Sequence, residues 1–91
     1  GADVSSRTVT VGSKVGLHAR PASVFARAVA ESGVVVMLTD AAGKTVNAGS
    51  ILSVLSMGIA YGDTITLSSD DESAGPALDS LAQLLASELD N

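Results

Sequence analysis

Polar and apolar residues alternate along Arg7-Thr8-Val9-Thr10-Val11, the signature of a half-buried strand. Gly12-Ser13-Lys14 breaks the alternation, and a loop runs on to His18. A helix is predicted to begin between Ala19 and Pro21, because proline fits a first helical turn where its missing N–H costs nothing. Phe25, Ala28, Val29 and Ser32 then recur at helical spacing, and Gly33 closes the helix. Val34 to Leu38, rich in β-branched residues, reads as a central strand. Asp40 to Gly43 is a turn, and Lys44 to Asn47 a short return strand. A short helix or helical turn follows over Ser50 to Met57 and stops at Gly58; Ile51, Val54 and Leu55 share its apolar face, with Leu52 off that face and exposed. Asp63 to Ser68 alternates again and is a strand. The acidic run Asp70-Asp71-Glu72-Ser73 precedes a last helix, with Pro76 in its first turn and Leu78, Leu81, Leu85 and Leu89 as its buried stripe. The order β-α-β-β-α-β-α predicts an α+β fold, an antiparallel sheet with helices on one face.

Composition sharpens this picture. The 91 residues, without internal repeat or linker, are expected to form a single domain over 1–91. The chain is 46% hydrophobic but holds one Phe, one Tyr and no Trp, so its core is built from small aliphatic side chains. It has no Cys, which fits a reducing cytoplasm, and no apolar stretch near the roughly 20 residues of a membrane span. The polar start Gly1-Ala2-Asp3-Val4 reads as no signal peptide, with Gly1-Ala2 as a tag remnant. A net charge of −5 argues against nucleic acid as a partner.

The chemistry concentrates in Gly16-Leu17-His18-Ala19-Arg20-Pro21-Ala22-Ser23, which contains the one histidine. The first N–H groups of a helix lack internal partners and carry the positive end of its dipole, so phosphate binds well there. An imidazole in that field is held neutral and nucleophilic, with a pKa expected below the usual value of about 6.5. His18 is thus a candidate nucleophile beside a site for the group it would accept; a capping or surface role is the alternative. With no Cys and no second His, a His/Cys metal site and a Ser-His-Asp triad are both unexpected, and no cofactor is called for.

Only five basic residues exist, and three of them, Lys14, Arg20 and Arg27, fall near His18 in sequence. Arg20 and Arg27 are two helical turns apart and project from nearly the same face. Such a patch would steer an acidic partner surface, and Arg20 would neutralise a phosphoryl group on the ring. Asn47-Ala48-Gly49-Ser50 is a second constellation. Ser50 reads first as an N-cap, and also as a site where a phosphate would be stabilised by the helix start.

These two segments, the one around His18 and Gly43-Lys44-Thr45-Val46-Asn47-Ala48-Gly49-Ser50-Ile51-Leu52-Ser53-Val54-Leu55-Ser56-Met57-Gly58, resemble the two signatures of the HPr family, the histidine-containing phosphocarriers of the bacterial sugar phosphotransferase system. The resemblance covers nearly the whole chain. It implies an open-faced β-sandwich of four antiparallel strands under three helices. It also implies that His18 takes a phosphoryl group on Nδ1 from enzyme I, charged by phosphoenolpyruvate, and passes it to the A domains of sugar-specific permeases. Arg20 would match the active-site arginine, Arg27 a basic docking position, and Ile51, Leu52 and Leu55 the apolar docking residues. Ser50 would match the regulatory serine, addressed by a serine kinase/phosphorylase. Val15 replaces the Asn or Ser of many relatives, and Gly49 the Lys of many low-GC Gram-positive members; the Ala-rich, acidic character is similar to actinobacterial members. The expected protein is a cytoplasmic monomer, a carrier rather than an enzyme. The competing class is an interaction module in which the apolar docking residues regulate a partner and His18 is incidental.

Overall fold

A computed structural model describes residues 5–12 and 19–87 of the chain, with the side chains of residues 19–21 left aside. The elements are β1 (Ser5–Thr10), α1 (Ala19–Ser32), β2 (Met37–Thr39), β3 (Thr45–Asn47), α2 (Ile51–Ser56), β4 (Thr64–Ser69) and α3 (Gly75–Ala86). The strands form a four-stranded sheet in the order β1-β4-β2-β3, with every neighbouring pair antiparallel. The three helices supply the other layer, so the fold is the open-faced β-sandwich anticipated above.

Period-two alternation decides which face each strand buries. Val9, Ile65, Leu67 and Leu38 point inward and are nearly inaccessible. Their neighbours in register are hydroxylic: Thr8, Thr66, Thr39 and Thr45 form one row across all four strands on the uncovered face. The Thr39 and Thr45 hydroxyls lie 2.8 Å apart. Threonine suits this face because its branched Cβ favours extended backbone while its hydroxyl stays hydrated.

The helices cover the inward face with Ala22, Phe25, Ala26 and Val29 from α1, Val54 from α2, and Leu78, Leu81 and Leu85 from α3. The α1 stripe differs from expectation. Ala22 and Ala26 are buried with Phe25 and Val29, whereas Ala28 is half-buried and Ser32 donates its hydroxyl to the Val29 carbonyl at 2.6 Å. Alanine lets α1 pack closely on its neighbouring helices α2 and α3 without large side chains. Gly33 follows with φ +77°, the left-handed value that ends many helices. Leu89, expected on the α3 stripe, lies outside the described residues.

The expected strand over Val34 to Leu38 shortens to Met37–Thr39. Its ladder partners on β3 and β4 begin only at Met37, and Val35 is 68% exposed. The acidic run ahead of α3 does not cap that helix with a side chain. Instead the Asp71 carboxylate accepts from the Ser73 amide at 2.8 Å and from its hydroxyl, and these bonds hold the Asp71 carboxyl below its ordinary pKa.

Arg7 shares the inward parity of Val9 and Val11 yet is charged. It stands half-buried on an edge strand, and its guanidinium reaches out to Asp79 of α3. Its Nη1 also donates to the Ser6 carbonyl at 2.8 Å.

Candidate functional site

The helix start that the sequence proposed is present: α1 begins at Ala19, with Arg20 and Pro21 in its first turn. His18 and Lys14 lie outside the described residues, and Arg20 is placed by its backbone alone. Arg27 sits seven positions beyond Arg20 on α1, exposed, with Nε 3.9 Å from the Glu31 carboxylate one turn on. An ion pair this long, with both side chains more than two-thirds exposed, contributes little and leaves the guanidinium open to another anion. Val24, between positions 20 and 27 on that helix face, is 41% exposed. The same spacing that pairs Arg20 with Arg27 would have singled it out.

The second constellation is a preformed turn. Asn47 Oδ1 accepts from the Gly49 amide at 2.8 Å, and the Asn47 carbonyl accepts from the Ser50 amide at 3.1 Å. An Asx turn of this kind delivers the chain into α2 at a fixed angle. Ser50, in extended conformation, is the N-cap of α2, its Oγ accepting from the Ser53 amide at 3.3 Å. Val54 alone of the α2 residues is fully buried. Leu55 is half-buried, Ile51 is 41% exposed and Leu52 is 80% exposed. Ile51 therefore lies nearer solvent than its predicted place on the buried face. A single turn and a half of helix can bury only one position fully, and Val54 takes it.

A shallow groove of about 310 Å³ runs beside Ser50, lined by Ala30, Val34, Val36, Asn47 and Gly49 among others. Tyr61, which the sequence reading did not single out, is 60% exposed at the tip of the turn before β4. Among the described residues no three His, Cys, Asp or Glu side chains gather as a metal site would require. Among them, too, no helix is long and apolar enough to cross a membrane.

Comparison with known proteins agrees with this arrangement. Residues 5–87 match the family model described as the PTS HPr component phosphorylation site. The chain is 48% identical over 87 residues to the phosphocarrier protein HPr of Streptomyces coelicolor, covering 96% of this chain and 94% of that one. The crystal structure of a phosphocarrier protein HPr from Bacillus anthracis superposes with a TM-score of 0.84 at 34% identity, over 90% of this chain and 96% of that chain. HPr-C-His from Thermoanaerobacter tengcongensis gives a TM-score of 0.81 at 30% identity, over 89% and 90% of the two chains. With the family model spanning nearly all of the chain and the sheet order, helices and capped serine turn in place, the chain belongs to the HPr family, the phosphocarriers of the phosphotransferase system.

Proposed function

We propose that this single-domain chain works as a cytoplasmic monomer that accepts a phosphoryl group on His18 Nδ1 from phospho-enzyme I and donates it to the A domains of sugar-specific permeases. The observation that carries the reading is positional: the one histidine of the chain immediately precedes the first residue of α1, inside the span matched by the family model. The Nδ1 lone pair forms the new N–P bond as the bond to the donor breaks. The α1 amides and Arg20 stabilise the dianion that arrives. The protein is consumed and regenerated stoichiometrically, without turnover of its own. Arg27 and the apolar Ile51, Leu52 and Leu55 serve the partner surface in this reading, which the exposure of Arg27, Ile51 and Leu52 supports.

Ser50 is the regulatory position in the same reading, modified by a serine kinase and restored by a phosphorylase. A phosphate there adds negative charge beside the exposed Ile51 and Leu52 and weakens docking of the phosphoryl donor.

Incubation with phosphoenolpyruvate and enzyme I, followed by intact-mass spectrometry, tests the carrier role. One acid-labile phosphoryl group is expected on the parent chain and none on His18→Ala, which should fold as the parent does. An unlabelled parent or a labelled alanine variant would refute it. Ser50→Asp should slow phosphorylation by enzyme I; a rate equal to the parent's removes the regulatory role.

A further inference from the structure

The β2–β4 ladder stops at the Met37–Ser68 pair, where β2 begins. Beyond that pair the Val36 carbonyl accepts from the Ala48 amide rather than from β4. On the other chain the Asp71 amide turns back to donate to Ser69 Oγ at 3.2 Å. The two segments therefore part, and a cavity of about 510 Å³ lies where they do. Val35 and Met37 line it from one chain, Ser69, Asp70 and Asp71 from the other, with Gly33 beside them. Both sides are anchored, because Val36 is fully buried and Ser69 is 3% exposed.

The lining pairs apolar surface with negative charge. Val35 is 68% exposed and Met37 is half-buried, whereas Asp70 and Asp71 are exposed carboxylates. Asp71 takes both bonds from Ser73 on Oδ1, which leaves Oδ2 without a donor among the described residues. Gly33 directly follows α1, whose last turn carries no basic residue, so no side chain offsets the negative end of that helix dipole. None of Arg7, Arg27 and Lys44 lines the cavity. A cation on an aliphatic stem matches such a lining, since lysine and arginine lay their stems along apolar surface and keep the charged head in a polar setting. A chelated metal ion matches it poorly, because no three His, Cys, Asp or Glu side chains gather among the described residues.

We propose that this cavity is a docking site for a basic segment of a partner protein, with one lysine or arginine laying its stem on Val35 and Met37 and its charge against Asp70 and Asp71. Charge complementarity selects that occupant over a second copy of this chain, whose net charge of −5 would meet the carboxylates with like charge. The site is distinct from the surface proposed for phosphoryl transfer. The 14 residues of α1 span about 21 Å, and the cavity lies at the end of that helix remote from Arg20.

The test titrates a peptide of alternating lysine and valine into the isotope-labelled full chain and follows the backbone amides by NMR. Two comparison peptides carry acetylated lysine, which removes the charge, or diaminopropionic acid, which keeps the charge and shortens the stem. The lysine peptide should give saturable shifts at Gly33, Val35, Met37, Ser69, Asp70 and Asp71 and none at Val24 or Leu52; both comparison peptides should bind several-fold more weakly. Val35→Ser and Asp70→Asn alter exposed side chains and should keep the parental Tm. They should weaken the lysine peptide by about fivefold and about threefold respectively. Glu72→Gln, an exposed charge next in sequence but outside the lining, should keep the parental affinity. The proposal is overturned by an absence of saturable shifts, by equal binding of either comparison peptide, by parental affinity in Val35→Ser or Asp70→Asn, or by an equal loss in Glu72→Gln.

Discussion

Removing the Ser50 hydroxyl should loosen α2 measurably but not unfold the protein. α2 has six residues, far below the roughly 12–15 at which an isolated helix becomes marginal in water. It persists because Val54 is buried and because both ends are tied. Ser50 Oγ accepts from the Ser53 amide at the start, while the Met57 and Gly58 amides return to Val54 and Leu55 carbonyls at 3.2 and 3.3 Å at the finish. Losing an N-cap hydroxyl costs about 0.5–2 kcal/mol. The 3.3 Å separation is longer than the usual ~2.9–3.0 Å, and Ser50 is half-buried, so Ser50→Ala belongs in the lower half of that range, about 0.5–1 kcal/mol. For a domain of this size that lowers Tm by roughly 2–8 °C. Part of the loss should be local, since a helix held by one buried residue opens without the sheet. Urea and thermal unfolding followed by circular dichroism give the global part; hydrogen exchange at the Ser53 and Val54 amides gives the local part. Ser50→Asp keeps an acceptor and should retain most of the stability, and Ser50→Gly should lose only a few tenths of a kcal/mol. An alanine variant with parental Tm and parental Ser53 protection, or an aspartate variant as weak as the alanine one, would refute the capping argument.

Two further outcomes follow from the packing and the charges. Leu38→Ala, in a strand flanked on both sides and wholly inaccessible, should cost about 2–5 kcal/mol by chemical denaturation, with the spread set by how far the cavity collapses. Ser73→Ala removes the hydroxyl that holds the Asp71 carboxyl below its ordinary 3.8, and an NMR titration should show the carboxyl rising back towards that value. Because the folded pKa is the lower one, the stabilisation from these bonds is present above 3.8 and fades as pH falls through the folded pKa, so parent and variant should converge in stability on acidification. An unmoved titration curve would refute that assignment.

Local signals in the sequence carried furthest where one short-range force decides the outcome. The alternation of β1 and β4, the α3 stripe of Leu78, Leu81 and Leu85, the helix starting beside Pro21 and the cap at Ser50 all depend on neighbours a few residues away, and each stands as read. Val34 to Val36 misled because β-branching reports extended backbone, not the presence of a pairing strand; only Val36 of the three is buried, with its carbonyl taken by the Ala48 amide. Ala22 and Ala26 escaped because alanine is apolar enough to bury yet too small to mark a stripe. Of the site, the sequence offered the chemistry around His18 and the serine turn. Nor does the sequence signal the close approach of Gly12 to the end of α3, because its partners Leu85 and Ala86 are brought there only by the closing of the fold.

The order β1-β4-β2-β3 also governs when the molecule can assemble as it is synthesised. Among the described residues β1 has β4 as its only strand neighbour, with a register from Thr10–Thr64 to Ser5–Ser69, and its other large packing surface is α3. The β2–β3 hairpin, closed by Asp40 and Gly43, needs only adjacent residues and can form as it leaves the ribosome. Pairings between distant residues are formed late, after the intervening chain has lost its freedom. A nascent chain halted before Thr64 would hold the hairpin and the segments of α1 and α2, but its first strand would remain an unpaired edge with Val9 and Val11 in water. Commitment to the native sheet is therefore deferred to the emergence of the strand that is last in sequence and interior in space.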